Sequence, residues 1–588
     1  MSDNELPQWD LSDLYPAPDG PEIEADFARA ETLSKQFAGA YQGKLADLDG
    51  DGLGQAIGDY EILTEILHKA MSYAQLLYAA DVSDGERGRF YQSVQERVTD
   101  ISSVTLFFNL ELNRLDDDVL AAQVAAGKAV HYAPWIRDVR AFRAHQLSDE
   151  LEKLLHEKSV SGRAAWIRLF DETEAGLRFA LDGKEVSMSE VLNQMSDIDG
   201  AKRKAAAGAL GQVLGENIKL FSLITNTLAK DKAIEDGWRS YPRPLSERNL
   251  SNQVEDKVVD ALVSSVRASY PQLSHRYYRL KAKWFGVDAL DYWDRNAPLP
   301  GDDAAAYSWD DARTVVLDAY GSFEPKLAAI ASQFFDKRWI DAELREGKDS
   351  GAFSHSTVPS VHPYILMNFH GKARDVMTLA HELGHGVHQV LAGPQGTLMA
   401  DTPLTTAETA SVFGEMLTFR SLLAREDDPA RRKILLAGKV EDMLNTVVRQ
   451  IAFHSFEERL HDERANGELS AERLGDIWME IQGESLGDGI RFDDNYRSFW
   501  AYIPHFVHSP FYVYAYAFGD CLVNSLYDVF QGGHPGFQEK YLAMLGAGGT
   551  LRHKELLAPF GLDAGDPEFW QRGLGIVAGF VDELEGME

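Results

Sequence analysis

The stretch His381-Glu382-Leu383-Gly384-His385 decides both the fold and the chemistry of this chain, and it lies in a run with few charges from residue 376 to 391. The run has an apolar residue at every fourth position, at Leu379, Leu383, Val387 and Leu391. This spacing predicts a helix with one packed face. Two histidines four residues apart lie one turn apart on such a helix, so both imidazoles can reach one metal ion. The glutamate between them can take a proton from water on the open side of the metal. The stretch therefore predicts metal-assisted hydrolysis.

A five-residue match can also arise by chance, and the helical context is what favours the catalytic interpretation. Two poor helix formers, Gly384 and Gly386, lie inside the predicted helix. A glycine in a helix interior costs about 1 kcal/mol relative to alanine. Their presence indicates that another part of the chain approaches this surface closely.

Zinc held by two histidines needs a third protein ligand and leaves one position for water or substrate. A second predicted helix, over residues 405–419, carries Glu408 and Glu415 seven positions apart on one face. Two glutamates on a helix often form only a solvated face, but here the large apolar residues Val412 and Phe419 lie near that face. A short connection between antiparallel helices would bring Glu408 back towards the histidines. We expect His381, His385 and Glu408 to bind one Zn²⁺ per chain, with Glu415 orienting a ligand histidine.

The segment from 381 to 388, together with Glu408 in 407–411, resembles the oligoendopeptidase F branch of the thimet-oligopeptidase-like zinc metallopeptidases. Further pieces resemble that branch in the same order along the chain, at residues 9–15, 347–353, 363–369, 503–506 and 511–517. The resemblance implies a zinc-dependent oligoendopeptidase that hydrolyses internal bonds of short unstructured peptides. It also implies a mainly α fold with a deep substrate channel and a small β-sheet beside the zinc helix.

The resemblance further implies that a histidine and downstream tyrosines donate hydrogen bonds to the oxyanion of the tetrahedral intermediate. His505 followed nine residues later by Tyr514 fits that pattern best, with Tyr512 second and Tyr516 third. This chain has Ser509-Pro510 where the thimet branch has a glycine-rich stretch, which leaves the register of the tyrosines open. Packing in a core is the alternative interpretation for each tyrosine.

The composition indicates a large enzyme rather than a nucleic-acid-binding protein. The 588 residues include 92 acidic and 58 basic side chains, for a net charge of −34, which opposes binding to a polyanion. A single cysteine, Cys521, excludes an intrachain disulfide and fits a reducing compartment. The first residues lack the pattern of a secretory signal, and no apolar run is long enough to cross a membrane. We expect a cytoplasmic protein whose partners are oligopeptide substrates, with no nucleic acid and no membrane; its oligomeric state stays open.

Helical periodicity dominates the rest of the chain, over residues 61–79, 205–228, 254–285 and 432–464. Pro271 should kink or divide the third of these. An apolar run at 363–369 is the best candidate strand and could form a sheet edge beside the active site, to which an extended peptide could add. We expect an N-terminal helical domain over 1–200 and a catalytic domain over 201–588.

Two alternative functions remain open on the sequence. A metallocarboxypeptidase of similar helical fold would use the same metal chemistry and would capture the substrate carboxylate, for example with an arginine. A non-catalytic peptide-binding protein is disfavoured because binding alone gives Glu382 no role. The sequence does not predict the physiological substrates, their length limits or the preferred cleavage site.

Overall fold

The computed structural model describes residues 6–159, 161–299 and 307–587, and within them the protein is mainly α-helical, as predicted. The helices up to residue 284 are α1 (Pro21–Tyr41), α2 (Gly50–Ala80), α3 (Gly85–Thr105), α4 (Phe107–Arg114), α5 (Asp117–Val124), α6 (Ala133–Arg140), α7 (Asp149–Ser159), α8 (Arg163–Gly176), α9 (Met188–Gln194), α10 (Gly200–Trp238), α11 (Ser246–Ser251), α12 (Asp256–Ser269) and α13 (Ser274–Trp284). The later helices are α14 (Trp309–Phe323), α15 (Pro325–Asp336), α16 (Ala373–Ala392), α17 (Leu404–Ala407), α18 (Ser411–Arg425), α19 (Pro429–Thr446), α20 (Val448–Arg464), α21 (Ala471–Leu486), α22 (His505–His508), α23 (Tyr514–Gln531), α24 (Phe537–Gly546), α25 (His553–Leu557) and α26 (Pro567–Glu585). None of these described helices combines the length and the apolarity needed to cross a membrane.

The chain forms two compact units, each assembled from three separate segments. Unit 1 comprises Met1–Arg143, Ala304–Arg425 and Gly533–Gly561, and unit 2 comprises Ala144–Asp303, Glu426–Gly532 and Leu562–Glu588. The predicted division at residue 200 falls inside unit 2, at the first residue of α10. The assignment of catalysis to residues 201–588 stays a prediction.

Most of the long helices lie where the apolar periodicity predicts them. Residues 61–79 lie within α2 and residues 205–228 within α10. Pro271 separates α12 from α13, as expected for a residue that cannot donate a helical hydrogen bond. Residues 432–464 form two helices instead of one, because the helix breaks at Val447 (φ −99°, ψ −64°). The break lies in the β-branched run Thr446-Val447-Val448, whose restricted side chains lower helix propensity.

The seven described strands are short and form three sheets: β1 (Phe179–Leu181) with β2 (Lys184–Val186), β3 (Leu290–Asp291) with β7 (Ile490–Arg491), and β4 (Ile340–Asp341), β6 (Tyr364–Leu366) and β5 (Phe353–His355) in that order. The predicted strand at 363–369 is β6, but the prediction that it forms an edge is wrong. Ile365 pairs with Ile340 in parallel and with Ser354 in antiparallel register, so β6 is the central strand. All three residues of β6 are buried. The outer strands of this sheet are β4 and β5.

Each unit has its own buried core. In unit 1, aromatic and aliphatic residues of α1, α2, α4 and α6 form one cluster, which includes Phe37, Leu53, Phe108 and Ile136. In unit 2, α23 packs against α26, and the backbone of Cys521 lies against Gly573. Cys521 is itself buried, and burial raises the pKa of its thiol.

Candidate metal centre

α16 carries the two predicted metal-binding histidines on one face. The ring centroids of His381 and His385 lie 4.9 Å apart, and both side chains are half-buried. Glu382, between them in sequence, is buried with 6% of its surface exposed. The helix therefore presents two imidazoles to one point in space and keeps a carboxylate next to them.

Glu408 meets both histidines, although it does not lie in the continuous helix predicted over residues 405–419. It lies in a turn between α17 and α18. Its Oε2 atom is 3.4 Å from Nε2 of His381 and 3.4 Å from Nε2 of His385. One potential ligand atom from each of the three residues lies within 4.8 Å of the others. Two imidazole nitrogens and one carboxylate oxygen can therefore hold one metal ion.

The turn that carries Glu408 is held from several sides. The Thr409 hydroxyl donates to the Thr406 carbonyl (2.6 Å), and the Tyr541 hydroxyl donates to the Thr409 carbonyl (2.8 Å). The Ser411 hydroxyl donates to Oε2 of Glu408 at 2.5 Å. These hydrogen bonds fix both the backbone and the carboxylate of the third metal-ligand candidate.

Gly384 allows the turn to approach the histidine helix. A Cβ atom on Gly384 would lie 2.5 Å from the Ala410 carbonyl oxygen and 2.5 Å from Cα of Ser411. Real Cβ atoms do not come so close to backbone, so only glycine fits here. Gly386 is likewise packed, with the Phe334 ring 2.5 Å from the position of its Cβ. The two poor helix formers of the histidine helix, Gly384 and Gly386, therefore mark close approaches, as predicted.

Glu415 binds the other side of a histidine ring. Its Oε2 atom lies 3.2 Å from Nδ1 of His381, while Nε2 of the same ring faces Glu408. Burial opposes the charged form of His381, but the hydrogen bond to Glu415 and the nearby carboxylates raise its pKa to about 9. Three carboxylates around two imidazoles make this a place where a dication is electrostatically favoured.

Glu382 is held beside a strand that motif analysis alone did not identify. Burial raises the pKa of Glu382 to about 7, and the Ser354 amide of β5 partly opposes this shift. Ser354 is in turn fixed by Gln389 of α16: its hydroxyl donates to Oε1 (2.9 Å) and its carbonyl accepts from Nε2 (3.3 Å). One feature of the sequence points to this contact: Gln389 lies four residues after His385, so it continues the four-residue spacing of the two histidines on the same face of the helix.

The predicted oxyanion donors His505, Tyr512 and Tyr514 all lie in unit 2. Nε2 of His505 is 3.3 Å from the Tyr516 hydroxyl, and the Tyr512 ring centroid lies 6.0 Å from His505 and 5.3 Å from Tyr516. These three side chains are half-buried and form one cluster. Tyr514 is fully buried, and its hydroxyl accepts a hydrogen bond from Nδ2 of Asn252 at 2.9 Å.

The loop before these tyrosines contains a strained residue. Phe511 has a φ of 59°, in the left-handed region that disfavours residues with a side chain. Its amide donates to Oε1 of Glu457 at 2.8 Å, and both residues are buried. The Glu457 carboxyl therefore stabilises the turn that carries Tyr512 and leads into α23, on which Tyr516 lies.

Two family models match the chain. Peptidase family M3 matches residues 325–576, which include the whole candidate metal centre, and Oligopeptidase F matches residues 111–179. Oligopeptidase PepF of Bacillus subtilis is 27% identical over 98% of this chain and 86% of its own length. An oligoendopeptidase F homolog of Lactococcus lactis is 26% identical over 98% of this chain and 96% of its own length.

A solved structure agrees in fold. The crystal structure of oligoendopeptidase-F from Enterococcus faecium superposes with a TM-score of 0.73 at 23% identity, covering 96% of this chain and 98% of that chain. The metal-ligand geometry, the two family models and the full-length relatives agree with one another. The chain thus belongs to peptidase family M3, in its oligoendopeptidase F branch, and is a metalloendopeptidase that acts on oligopeptides.

Proposed function

We propose that the metal of this endopeptidase is Zn²⁺, one ion per chain, held by His381, His385 and Glu408. The convergence of three ligand atoms within 4.8 Å carries the proposal. Two histidines and one carboxylate are a catalytic zinc set, which leaves a position open for water or substrate. The Glu415 carboxylate on Nδ1 of His381 is the kind of outer partner that zinc histidines use. A bound zinc ion would polarise the peptide carbonyl and lower the pKa of water.

Glu382 is the proposed general base. It follows a metal ligand directly on α16, so its carboxylate lies next to the centre, and Ser354 fixes its position from β5. The carboxylate takes a proton as water attacks the peptide carbonyl and passes it to the leaving amine. A buried carboxyl with a pKa near neutrality can both accept and donate that proton.

His505 and tyrosine hydroxyls are the proposed hydrogen-bond donors to the oxyanion. The role of Tyr514 as a donor, which its spacing from His505 favours, stays a prediction. The half-buried cluster of His505, Tyr512 and Tyr516 supports the other two tyrosines, because their hydroxyls lie beside His505. The Tyr514 hydroxyl is engaged by Asn252 in a buried position, which favours a packing role for it.

The proposed binding mode of the substrate is addition to the outer edge of β5. This strand pairs with β6 on one side, and its Ser354 contacts Glu382. Main-chain hydrogen bonds to a strand edge hold an extended peptide irrespective of most side chains. Just beyond β5, Ser356 and Thr357 line a cavity of about 630 Å³ within unit 1, which also contacts Gln389 and Asp401. This cavity could receive substrate side chains from one side of the cleaved bond.

We infer a cytoplasmic location from the single buried cysteine and the composition. The net charge of −34 supports oligopeptides rather than nucleic acid as partners. We expect no membrane partner, and the oligomeric state stays open.

The test combines metal analysis with two substrates. The purified protein is assayed for zinc content and for cleavage of a decapeptide with both ends blocked, next to a stable globular protein. Internal cleavage of the blocked peptide with one zinc per chain and an intact globular protein is the expected result. Degradation of the folded protein would contradict the deep channel that the family resemblance implies, and release of only terminal residues from unblocked peptides would favour the carboxypeptidase.

A further inference from the structure

A small cavity inside unit 2, lined by no residue assigned above, combines two arginines with aromatic walls. Its volume is about 30 Å³, and its walls come from α20, α21 and the 3₁₀ helix Asp494–Tyr502. The side chains that define it are Arg295, Arg449, Phe453, Trp478, Tyr496 and Tyr502. No aspartate or glutamate of the described residues lines it. A volume of this size holds one water molecule or one small ion.

Arg449 has no counter-charge. Its guanidinium lies 4.9 Å from the ring centroid of Phe453, and it makes no hydrogen bond or ion pair with any residue that the structure describes. Burial and the positive charge of Arg295 both lower its pKa. Arginine stays protonated in proteins, so two like charges, each on a half-buried side chain, line the same cavity.

The positive charge of Arg295 is only partly balanced by a nearby carboxylate. Its guanidinium interacts with the Tyr496 hydroxyl, and the carboxylate that acts on it is Glu441. Glu441 is already bound to the buried amine of Lys281 (2.5 Å) and to the Tyr277 hydroxyl (2.6 Å). Counting Lys281, Arg295 and Arg449 against Glu441 leaves two positive charges in excess.

Two uncharged donors, one in the cavity wall and one on a neighbouring side chain, have no acceptor among the described residues. The indole Nε1 of Trp478, which lines the cavity, is buried and has no hydrogen-bond partner among the described residues. The same holds for Nε2 of Gln482, whose amide oxygen accepts from the Tyr496 hydroxyl at 3.1 Å. Buried donors are almost always paired in folded proteins. An acceptor with negative charge would pair with these donors and complement the two arginines at once.

We propose that this cavity binds one small monovalent anion of about the size of chloride, held by the guanidiniums of Arg295 and Arg449 and by the indole N–H of Trp478. The ion supplies the acceptor that the indole lacks and relieves the repulsion between the two arginines. The cavity volume excludes a phosphate ester or a peptide residue. The site goes beyond the proposed peptidase function and does not depend on it.

The site is connected to a predicted catalytic residue. Burial lowers the pKa of His505, and Arg449 is close enough to lower it further. An anion on Arg449 would weaken the positive field at His505. Anion occupancy is thus placed to influence the cluster of His505, Tyr512 and Tyr516 without contacting substrate.

The direct test is crystallography of the wild-type protein in sodium bromide. We expect an anomalous difference peak between Arg295 and Arg449. A data set in which bromide occupies other surface positions while this cavity holds only water would overturn the proposal. This measurement needs no variant and no active enzyme.

The second test compares melting temperatures in sodium chloride and in sodium gluconate at equal ionic strength, because gluconate is too large for the cavity. We expect chloride to raise the melting temperature by about 3 °C or more and the gain to saturate. Arg449→Gln should lose this gain and melt no lower than wild type in gluconate. The matched control is Arg459→Gln on the same helix, which removes an arginine that is 38% exposed and paired with Glu480, and it should keep the gain.

Trp478→Phe should weaken chloride binding about 10-fold, since it removes one hydrogen bond to a charged group. Equal melting in both salts, or a full chloride gain in Arg449→Gln, would contradict the site.

Discussion

Nδ1 of His381 lies 3.2 Å from a carboxylate oxygen of Glu415, so this carboxylate fixes the ring whose other nitrogen faces Glu408. Removing the charge should loosen the ring and reduce its basicity. We expect Glu415→Gln to lower metal affinity about 10- to 100-fold, and Glu408→Gln to lower it further because a ligand is lost. Titration with a competing chelator measures both, and Glu346→Gln, at an exposed position of the same unit, serves as the control. Equal affinities for Glu415→Gln and wild type would remove Glu415 from the centre.

Glu382→Gln separates proton transfer from metal binding. The amide occupies the same volume but cannot accept the proton, so turnover should fall by about 10²- to 10⁴-fold. Metal content and the affinity for an uncleaved peptide should stay near wild type, because neither depends on that proton. Single-turnover hydrolysis and metal analysis of the same sample check this. Near-normal turnover would refute the assignment of the base.

The tyrosines of unit 2 can be ranked by single hydroxyl deletions. Tyr512→Phe and Tyr516→Phe should each lower kcat by about 10²-fold with KM little changed, since an oxyanion donor acts mainly in the transition state. Tyr514→Phe should instead lower the melting temperature, because Asn252 loses its buried acceptor. A hundredfold fall in kcat for Tyr514→Phe at unchanged stability would restore the ranking that sequence spacing gives.

Gly384→Ala tests the close packing behind the metal centre. The added Cβ would lie 2.5 Å from backbone atoms of Ala410 and Ser411, so the turn bearing Glu408 must move. We expect a loss of about 1–3 kcal/mol in stability, as for other overpacked sites, together with weaker metal binding. Gly393→Ala, just beyond the end of the same helix, meets nothing within 4 Å and is the matched control. Equal stability and equal metal affinity of the two variants would mean that the close approach at Gly384 does not position the Glu408 turn.

Glu457 should make the stability of unit 2 depend on pH. Burial raises its pKa to about 8, whereas an unfolded glutamate has a pKa of about 4.3. Between these values the folded state holds a proton that the unfolded state lacks, so stability falls as the pH rises. The Glu457→Gln variant keeps an acceptor for the Phe511 amide and escapes this fall.

The stability of Glu457→Gln relative to wild type should therefore increase from pH 5 to pH 8, by up to about 1.4 kcal/mol per pH unit. Urea unfolding at three pH values measures the difference. The exposed Glu468→Gln should show no such trend. A pH-independent difference for Glu457→Gln would mean that its carboxyl is ionised in the folded protein.

Helical spacing in the sequence is enough to bring the candidate ligands of α16 together, because that information is local. The two histidines and Glu382 share one helix, and helical spacing alone places them together. The turn at Glu408 was not predicted, because Thr409 and Ala410 are not helix breakers and the turn is held by Tyr541 from a distant helix.

Features that depend on distant partners were predicted less well. The strand at 363–369 looked like an edge because its parallel neighbour Ile340 and antiparallel neighbour Ser354 cannot be recognised in strands of two or three residues. Which tyrosines lie beside His505 depends on the left-handed backbone conformation of Phe511. The sequence has no glycine there that would indicate such a turn. Ser354 and Gln389 carry no motif and become visible only through their contacts.

The interleaving of the two units has a consequence for biosynthesis. Unit 1 is complete only when Gly533–Gly561 has been made, long after the metal ligands at 381–408 have left the ribosome. The Tyr541 hydroxyl that holds the Glu408 turn belongs to that last segment. Chains fold from the N-terminus during synthesis where their segments allow it. A nascent chain that already carries all three ligand candidates therefore lacks the hydrogen bond from Tyr541, and we expect tight metal loading only when translation is almost finished.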